Sequence, residues 1–404
     1  MDPSPVAVTV GTLHKTSGMN QKQEFNMPQI EVVHEGPIYR NPDPGYGHVL
    51  ACFSTVVQLS DHELFCTYNR GAAIYATDLS FYAARSTDSG RSWPEQTCIH
   101  DSSTDDLPYS YHDPMLCRLN DGALVITAFR VDRSDPKRPI FNEQTGGICE
   151  FELVQLRSFD GGHTWSRPQP MTVPSDMILT PSSGVIELND GRWFLPCDRW
   201  HAFDSRQPYR PQVVGLFSDD HGVTWTNPVV IADTNPQNKG FWHGQVFRLD
   251  DSRLFTLFWT ALIKENLDNQ GLHRCVGSSD GKEWSEPVRT EVPGQTNHAV
   301  DLGKGRMLDL YTRRDGPRPG FFAVLSANEG QTWDLENQVC VWDASGRDKL
   351  GVNAPDTFPR SHDTIAFGAP RAIGLADGDV MATYWCTEMS VTHVRCARLR
   401  VQDK

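Results

Sequence analysis

Five times the chain closes an apolar run with a variant of one short string: STDSGRSW at Trp93, SFDGGHTW at Trp165, SDDHGVTW at Trp225, SSDGKEW at Trp284 and SANEGQTW at Trp333. A string that returns every few tens of residues marks an array of similar units, none of which can bury its apolar face alone. Inside the string the Ser and Asp side chains can bond nearby backbone amides, glycine supplies the φ of a tight turn, and the Trp packs beneath it. The repeat reads as scaffold rather than as a substrate contact.

A second motif interleaves with the first: QLSDHELF, RLNDGALV, ELNDGRWF, RLDDSRLF, DLGKGRML and GLADGDVM, with leucines at 59, 119, 188, 249, 302 and 375. Asp-Gly between apolar runs signals a hairpin with a two-residue turn. Each copy is therefore strand, tight turn, strand, followed by a third strand, the Trp box and, in most copies, a fourth strand. Six such units predict an all-β, six-bladed β-propeller of four-stranded antiparallel blades. The sixth unit lacks a box and ends one strand short, whereas IEVVHEG at 30–36 is a strand without a hairpin. Pairing the two closes the ring and removes exposed sheet edges. Residues 1–29 then form an N-terminal extension and 30–404 the propeller.

Bulk properties exclude several function classes. A formal net charge of −14 leaves no basic face for neutralising phosphates, so no nucleic-acid partner is expected. No stretch reaches the roughly 20 apolar residues of a membrane span. The opening MDPSPVAVTVGTLHKTSG has neither a basic n-region nor a long apolar h-region, so the expected compartment is the cytoplasm, or the exterior if a leader has been trimmed. The 10 Cys stand singly in apolar runs with no C-x-x-C pair, as buried free thiols rather than disulfides or a zinc site.

Strand order places the site. The box turns and the turn of each first hairpin share the bottom face, so strand-one starts and strand-two ends rim the top of the central channel. Strand-one starts carry His112 and Asp113, Trp242 and His243, Asn297 and His298, and Arg371, with His48 further upstream in unit one. Strand-two ends carry Arg70, Arg130, Asp198 with Arg199, Arg313 with Arg314, and Glu388. A ring of His, Arg and carboxylate thus converges on one mouth, where a ligand pocket is expected.

The boxes resemble the Asp-box, or BNR repeat, of the sialidase (neuraminidase) superfamily, over essentially residues 30–400. The resemblance implies a glycoside hydrolase with an arginine clamp for a sugar carboxylate, an Asp acid, a Tyr nucleophile activated by Glu, and no cofactor. Carried over by position, Arg70 ends the first blade's second strand, Asp78 lies in the acid's loop, Arg313 or Arg314 suits the fifth-blade clamp, and Tyr384 is the candidate nucleophile. The family's F/Y-R-I-P signature is absent: Cys52 stands in its place, Arg40 lies too early, and FTLFWTALIKEN in blade four has no arginine.

The leading expectation is an exo-glycosidase that removes a terminal acidic sugar. Arg70, Arg130, Arg199, Arg313 and Arg371 would hold anionic or hydroxyl groups, Asp78 or Asp113 would act as the acid, and His112, His243 and His298 would position or move protons, with Trp242 stacking on the sugar. The alternatives are a uronate lyase using His as acid and base, a metal held by three or four of the His, and a glycan-binding propeller stacking sugars on Trp200, Trp242 and Trp259 or a protein-interaction scaffold, both without catalysis.

Overall fold

The computed structural model describes residues 29–402 except 208, 209, 234–237, 264, 266, 268, 317 and 347–364. The expected extension at 1–29 lies outside the described residues, apart from Gln29, which is already paired with Gln402.

Six antiparallel sheets form the blades. Blade one runs Leu50–Gln58, Leu64–Gly71, Ser80–Ser86 and Glu95–His100 from the axis outward. Blade two runs Tyr109–Arg118, Leu124–Asp132, Phe151–Ser158 and Gln169–Pro170. In blade three the inner strand is split into Ile178–Pro181 and Ile186–Glu187, and Trp193–Trp200, Gln212–Ser218 and Thr226–Ala232 follow. Blade four splits likewise into Lys239–Trp242 and Phe247–Arg248, ahead of Leu254–Leu262, His273–Gly277 and Val288–Arg289. Blade five holds Asn297–Gly303, Arg306–Arg313, Gly320–Ser326 and Val339–Asp343. Blade six takes Phe367–Gly374, Val380–Glu388 and Val391–Gln402, and its outermost strand is the N-terminal Gln29–Tyr39. The ring is thus closed by the early strand, as the missing box predicted.

Each sheet turns its faces to its neighbours, so the apolar cores lie between blades. One cluster joins Val57, Phe65 and Phe81 of blade one to Tyr111, Leu124 and Ile126 of blade two; another joins Leu310 and Phe321 of blade five to Tyr384 and Leu399 of blade six. Ile38 and Tyr39 from the closing strand join Trp385 and Met381 against Leu50, Cys66 and Tyr68 of blade one. None of the ten cysteines is joined in a disulfide. Among the described residues no helix is long and apolar enough to cross a membrane.

The bottom-face turns satisfy their own backbone. In SFDGGHTW, Gly162 N donates to Ser158 Oγ (2.8 Å), Thr164 N and Oγ1 donate to the two Asp160 oxygens (2.9 and 2.6 Å), and Trp165 Nε1 donates to Gly162 O (3.2 Å). Hydrogen bonds from Thr164 hold the Asp160 carboxyl below its usual range. The hairpins differ from the two-residue turns expected. At Leu119, Leu188, Leu249 and Leu375 the leucine N–H reaches the carbonyl four residues on, at 2.8 Å each time, and the residue three on has positive φ (Gly122, Gly191, Ser252, Gly378). That is a type I turn followed by a left-handed bulge residue. The two-residue form occurs at Lys304–Gly305, where both residues have positive φ.

Candidate functional site at the top of the axis

A bulge aims the site. In blades one, two and six the pairing of inner strand to second strand is interrupted, between Cys52 and Thr55, His112 and Met115, and Gly368 and Arg371. In blade four the inner strand breaks after Trp242. At each break one non-glycine residue adopts a left-handed backbone: Phe53 (φ 52), Asp113 (φ 51), His243 (φ 54) and Ala369 (φ 47). Such conformations cost about 1–3 kcal/mol each and persist where surrounding structure imposes them. Here they turn four side chains into one cavity on the axis. Two buried residues at strand-two ends hold the bulges from the neighbouring blade. Asn69 Oδ1 accepts from Asp113 N (3.1 Å), and the Asp198 carboxylate accepts from His243 N (3.0 Å).

The cavity, of about 90 Å³, is lined by Asp113, Asp198, His112, His243, Arg314 and Arg371, with an aromatic wall that includes Tyr75, Trp200 and Trp259. Its roof is a flap from blade two in which Phe141 pairs with Ile148. The flap is fastened to blade three by Ile148 N donating to His201 O (3.1 Å) and by Asn142 Nδ2 and Thr145 Oγ1 donating to Phe203 O (2.9 and 2.6 Å).

Enclosure sets the electrostatics. Burial pushes the Asp113 carboxyl up to about 6, with Arg371 pulling it back. Burial pushes Asp198, which is 2% exposed, up to about 7; the His243 backbone N–H lowers it and the Asp113 charge raises it further. The Asp113 charge thus adds to burial in making Asp198 the harder of the two to ionise. Burial draws the Arg371 guanidinium down to about 10 while the two carboxylates hold it up. His243 lies flat against Trp259 (5.9 Å between centroids, 6°), with Nδ1 3.7 Å from Asp198 Oδ2.

Of the residues expected at the mouth, Asp113, His112, His243 and Arg371 meet there. His112 forms a wall, stacked on Phe129 at 5.0 Å with Nε2 2.9 Å from Ser110 Oγ, and burial draws it down to about 3. It is therefore neutral at physiological pH and carries no proton to donate as a cation. His298 sits deeper on the axis, accepts from Ala372 N (3.2 Å), and is likewise drawn down to about 3 by burial. Among the described residues the histidines do not gather as metal ligands. Among the described residues, the group whose donor atoms lie within 4.8 Å of one another is Cys386, Glu388 and His393 on blade six, and there Glu388 is already bonded by Trp342 Nε1 (2.9 Å) and Arg395 Nη1 (3.1 Å).

Several expected residues point elsewhere, for one reason: side chains alternate along a strand, and a propeller sheet offers its faces to its neighbours, not to the axis. Arg70 lies between the Tyr39 and Tyr82 rings (4.6 and 4.3 Å). Arg130 pairs with Glu152 (2.7 Å) over Tyr109, and Arg199 Nη1 donates to Gln212 (3.2 Å). Arg313 lies over Phe322 (3.9 Å) and donates to Arg318 O; the next residue, Arg314, reaches the cavity instead. Trp242 is 8% exposed and packs on Trp259 behind the wall. Tyr384 is core, 4.5 Å from Phe321. Asp78 is exposed, and its Oδ1 accepts from Ala72 N (3.0 Å) within its own loop. Asp198 is among the rim residues without a role; the alternation that sets Arg199 beside Gln212 on the opposite face of its strand is the signal that selects it.

Residues 62–351 match the family described as BNR repeat-like domain. The chain belongs to that family. As a BNR repeat-like protein it is 24% identical over 208 residues to a sialidase of Clostridium perfringens, covering 46% of this chain and 52% of the relative. It is also 24% identical over 308 residues to a sialidase of Micromonospora viridifaciens, covering 63% and 40%. The chain thus spans about half the length of the curated relatives it matches. Among solved structures, a protein of unknown function from Dyadobacter fermentans superposes with a TM-score of 0.70 at 20% identity, covering 93% of this chain and 100% of that one. The Hadza microbial sialidase superposes at 0.63 and 16% identity, covering 90% and 68%. The BNR repeat-like chain has a sialidase-like fold.

Proposed function

We propose that the protein is an exo-acting glycoside hydrolase that removes a terminal acidic sugar. What supports this reading is the meeting of two carboxyls, Asp113 and Asp198, with two guanidiniums, Arg314 and Arg371, inside one narrow cavity. Hydrolysis of a glycosidic bond needs a proton for the departing oxygen and a carboxylate on the other side of the sugar, as nucleophile or as base for water. Two carboxyls raised to different extents by their surroundings suit these two roles. Asp198, the more strongly shifted, is assigned the acid; Asp113 is the carboxylate. Arg314 and Arg371 face the sugar's acid group, and the half-buried Trp200 offers an aromatic surface to the ring. His243 orders the Asp198 carboxyl through its backbone N–H. A small cavity roofed by the blade-two flap suits the end of a chain rather than its middle.

The sialidase relatives support an acidic sugar, and the chain departs from the sialidase pattern in what cleaves it: the carboxyl pair replaces a Tyr–Glu nucleophile, since Tyr384 is core. The test is a panel of fluorogenic glycosides capped by sialic acid, uronic acids and neutral sugars. Release of the umbelliferone from an acid-capped member, lost in Asp113→Asn, is the expected result. Absorbance of an unsaturated uronate would assign a lyase instead, and silence across the panel with retained binding would assign a glycan-binding propeller.

A further inference from the structure

Below the roofed cavity the axis opens again. A channel of about 470 Å³ runs between the inner strands toward the hairpin face, lined by residues of all six blades, among them Ser183, Gln245, Arg248, His298 and Arg371. Met115 and Arg371 line both spaces. Their contact, Arg371 Nη2 to Met115 Sδ at 3.5 Å, is the partition between the cavity and the channel.

The polar atoms on the channel wall are incompletely satisfied. Gln245, 1% exposed, donates its amide N–H to Ser182 O, yet its Oε1 has no hydrogen-bond partner among the described residues. Arg371, 6% exposed, spends Nη1 on Pro370 O (2.9 Å) and leaves Nε without one. Arg248 binds Asn189 Oδ1 through Nη1 (3.1 Å) and leaves its buried Nη2 open. His298 accepts from Ala372 N at Nδ1, so the neutral ring carries its proton on Nε2 as a further donor. A buried polar atom without a partner costs about 1–3 kcal/mol, and here three of them belong to residues that line one space. The acids at the lower rim are already engaged: Glu187 accepts from Asn120 N (2.5 Å), and Asp301 accepts from Asp250 N (3.0 Å) and Gly303 N (2.8 Å).

We propose that this lower channel is a second binding site, separate from the roofed cavity, for a small hydroxylated carboxylate. The open donors of Arg248 and His298 match a carboxylate, and the open Gln245 oxygen matches a hydroxyl. Neither a bare anion nor a neutral polyol satisfies both ends. The site does not depend on what the upper cavity cleaves.

Gluconate is the probe, with acetate (charge, no hydroxyls) and glucose (hydroxyls, no charge) as controls, measured by titration calorimetry on the full chain. Gluconate is expected to bind, and Gln245→Leu and Arg248→Leu each to weaken it by about tenfold or more, the effect of losing one charged or buried hydrogen bond. Arg314→Ala, which alters only the upper cavity, is expected to leave that binding intact. Circular dichroism checks that each variant folds; Arg248, near the rim, carries the test if Gln245→Leu does not. No heat with folded wild-type protein, heat unchanged in both channel variants, or heat lost only in Arg314→Ala would each overturn the proposal. Equal binding of acetate or glucose would overturn the hydroxy-acid assignment.

Discussion

The two faces of the propeller use the same residue types to opposite ends. On the bottom, Asp160 and Ser158 sit in a turn where each oxygen bonds a nearby N–H or hydroxyl, and Asp160 is held more acidic than usual. On the top, Asp113 and Asp198 are enclosed beside each other and held less acidic than usual. The bottom relieves backbone polar groups and so stabilises the turns. The top instead keeps two carboxyls away from water, and such a perturbed pair in a cavity marks a candidate site.

The contrast is sharpest for activity against stability. Asp113→Asn and Asp198→Asn are each expected to reduce kcat/KM by about 10²–10⁴-fold, the usual worth of a proton-transfer group. Asp198→Asn should keep more activity on a substrate with an activated leaving group, which needs no acid, and an equal loss on both substrates would remove Asp198 from that role. Trp225→Ala, at a box tryptophan that is 1% exposed, should do the reverse. Its expected cost is about 3–5 kcal/mol of stability, seen as a lower denaturation midpoint with kcat of the folded fraction unchanged.

Intermediate effects separate neighbours in sequence. Arg314→Ala is expected to raise KM about 10–100-fold, from the loss of one charged hydrogen bond worth about 1.5–3 kcal/mol, whereas Arg313→Ala, whose side chain lies over Phe322, should leave KM alone. If the two behave alike, the alternation along this strand end does not decide what faces the sugar.

Stability against pH distinguishes the faces again. A carboxyl raised in the folded state binds its proton more tightly there than in the unfolded chain. The contribution of Asp113 and Asp198 is therefore most favourable below about pH 4 and is lost as pH rises through about 6 to 7. Replacing both by Asn should raise Tm more at pH 8 than at pH 5; an equal shift at both pH values would contradict the burial of the pair. The smallest effect belongs to the bottom: Ser158→Ala removes the oxygen that accepts from Gly162 N and should cost about 1 kcal/mol with no pH dependence in this range.

How much was legible follows from the same geometry. Blade count, box turns and the closing strand are properties of repeated local sequence, and the motifs carry them directly. Asp113, His243 and Arg371 were placed at the mouth because strand order alone assigns strand-one starts to the top. Which of His112 and Asp113, or of Trp242 and His243, faces the axis depends on a left-handed bulge that no glycine announces. At strand-two ends Arg70, Arg130 and Arg199 do not reach the cavity, because Tyr82, Glu152 and Gln212 on adjacent strands of their own blades engage them. Asp198 and Arg314, one position away, line the cavity. Tyr384 was drawn in by resemblance, and the packing of Phe321 against it leaves it no path to the axis.

The central claim is that the axial carboxyls, not the acid-loop position, perform the chemistry. The direct measurement is kcat/KM on the acid-capped substrate for Asp113→Asn beside Asp78→Asn, each against wild type. The account predicts that Asp113→Asn loses turnover while Asp78→Asn keeps it. Loss in Asp78→Asn with turnover retained in Asp113→Asn would contradict it.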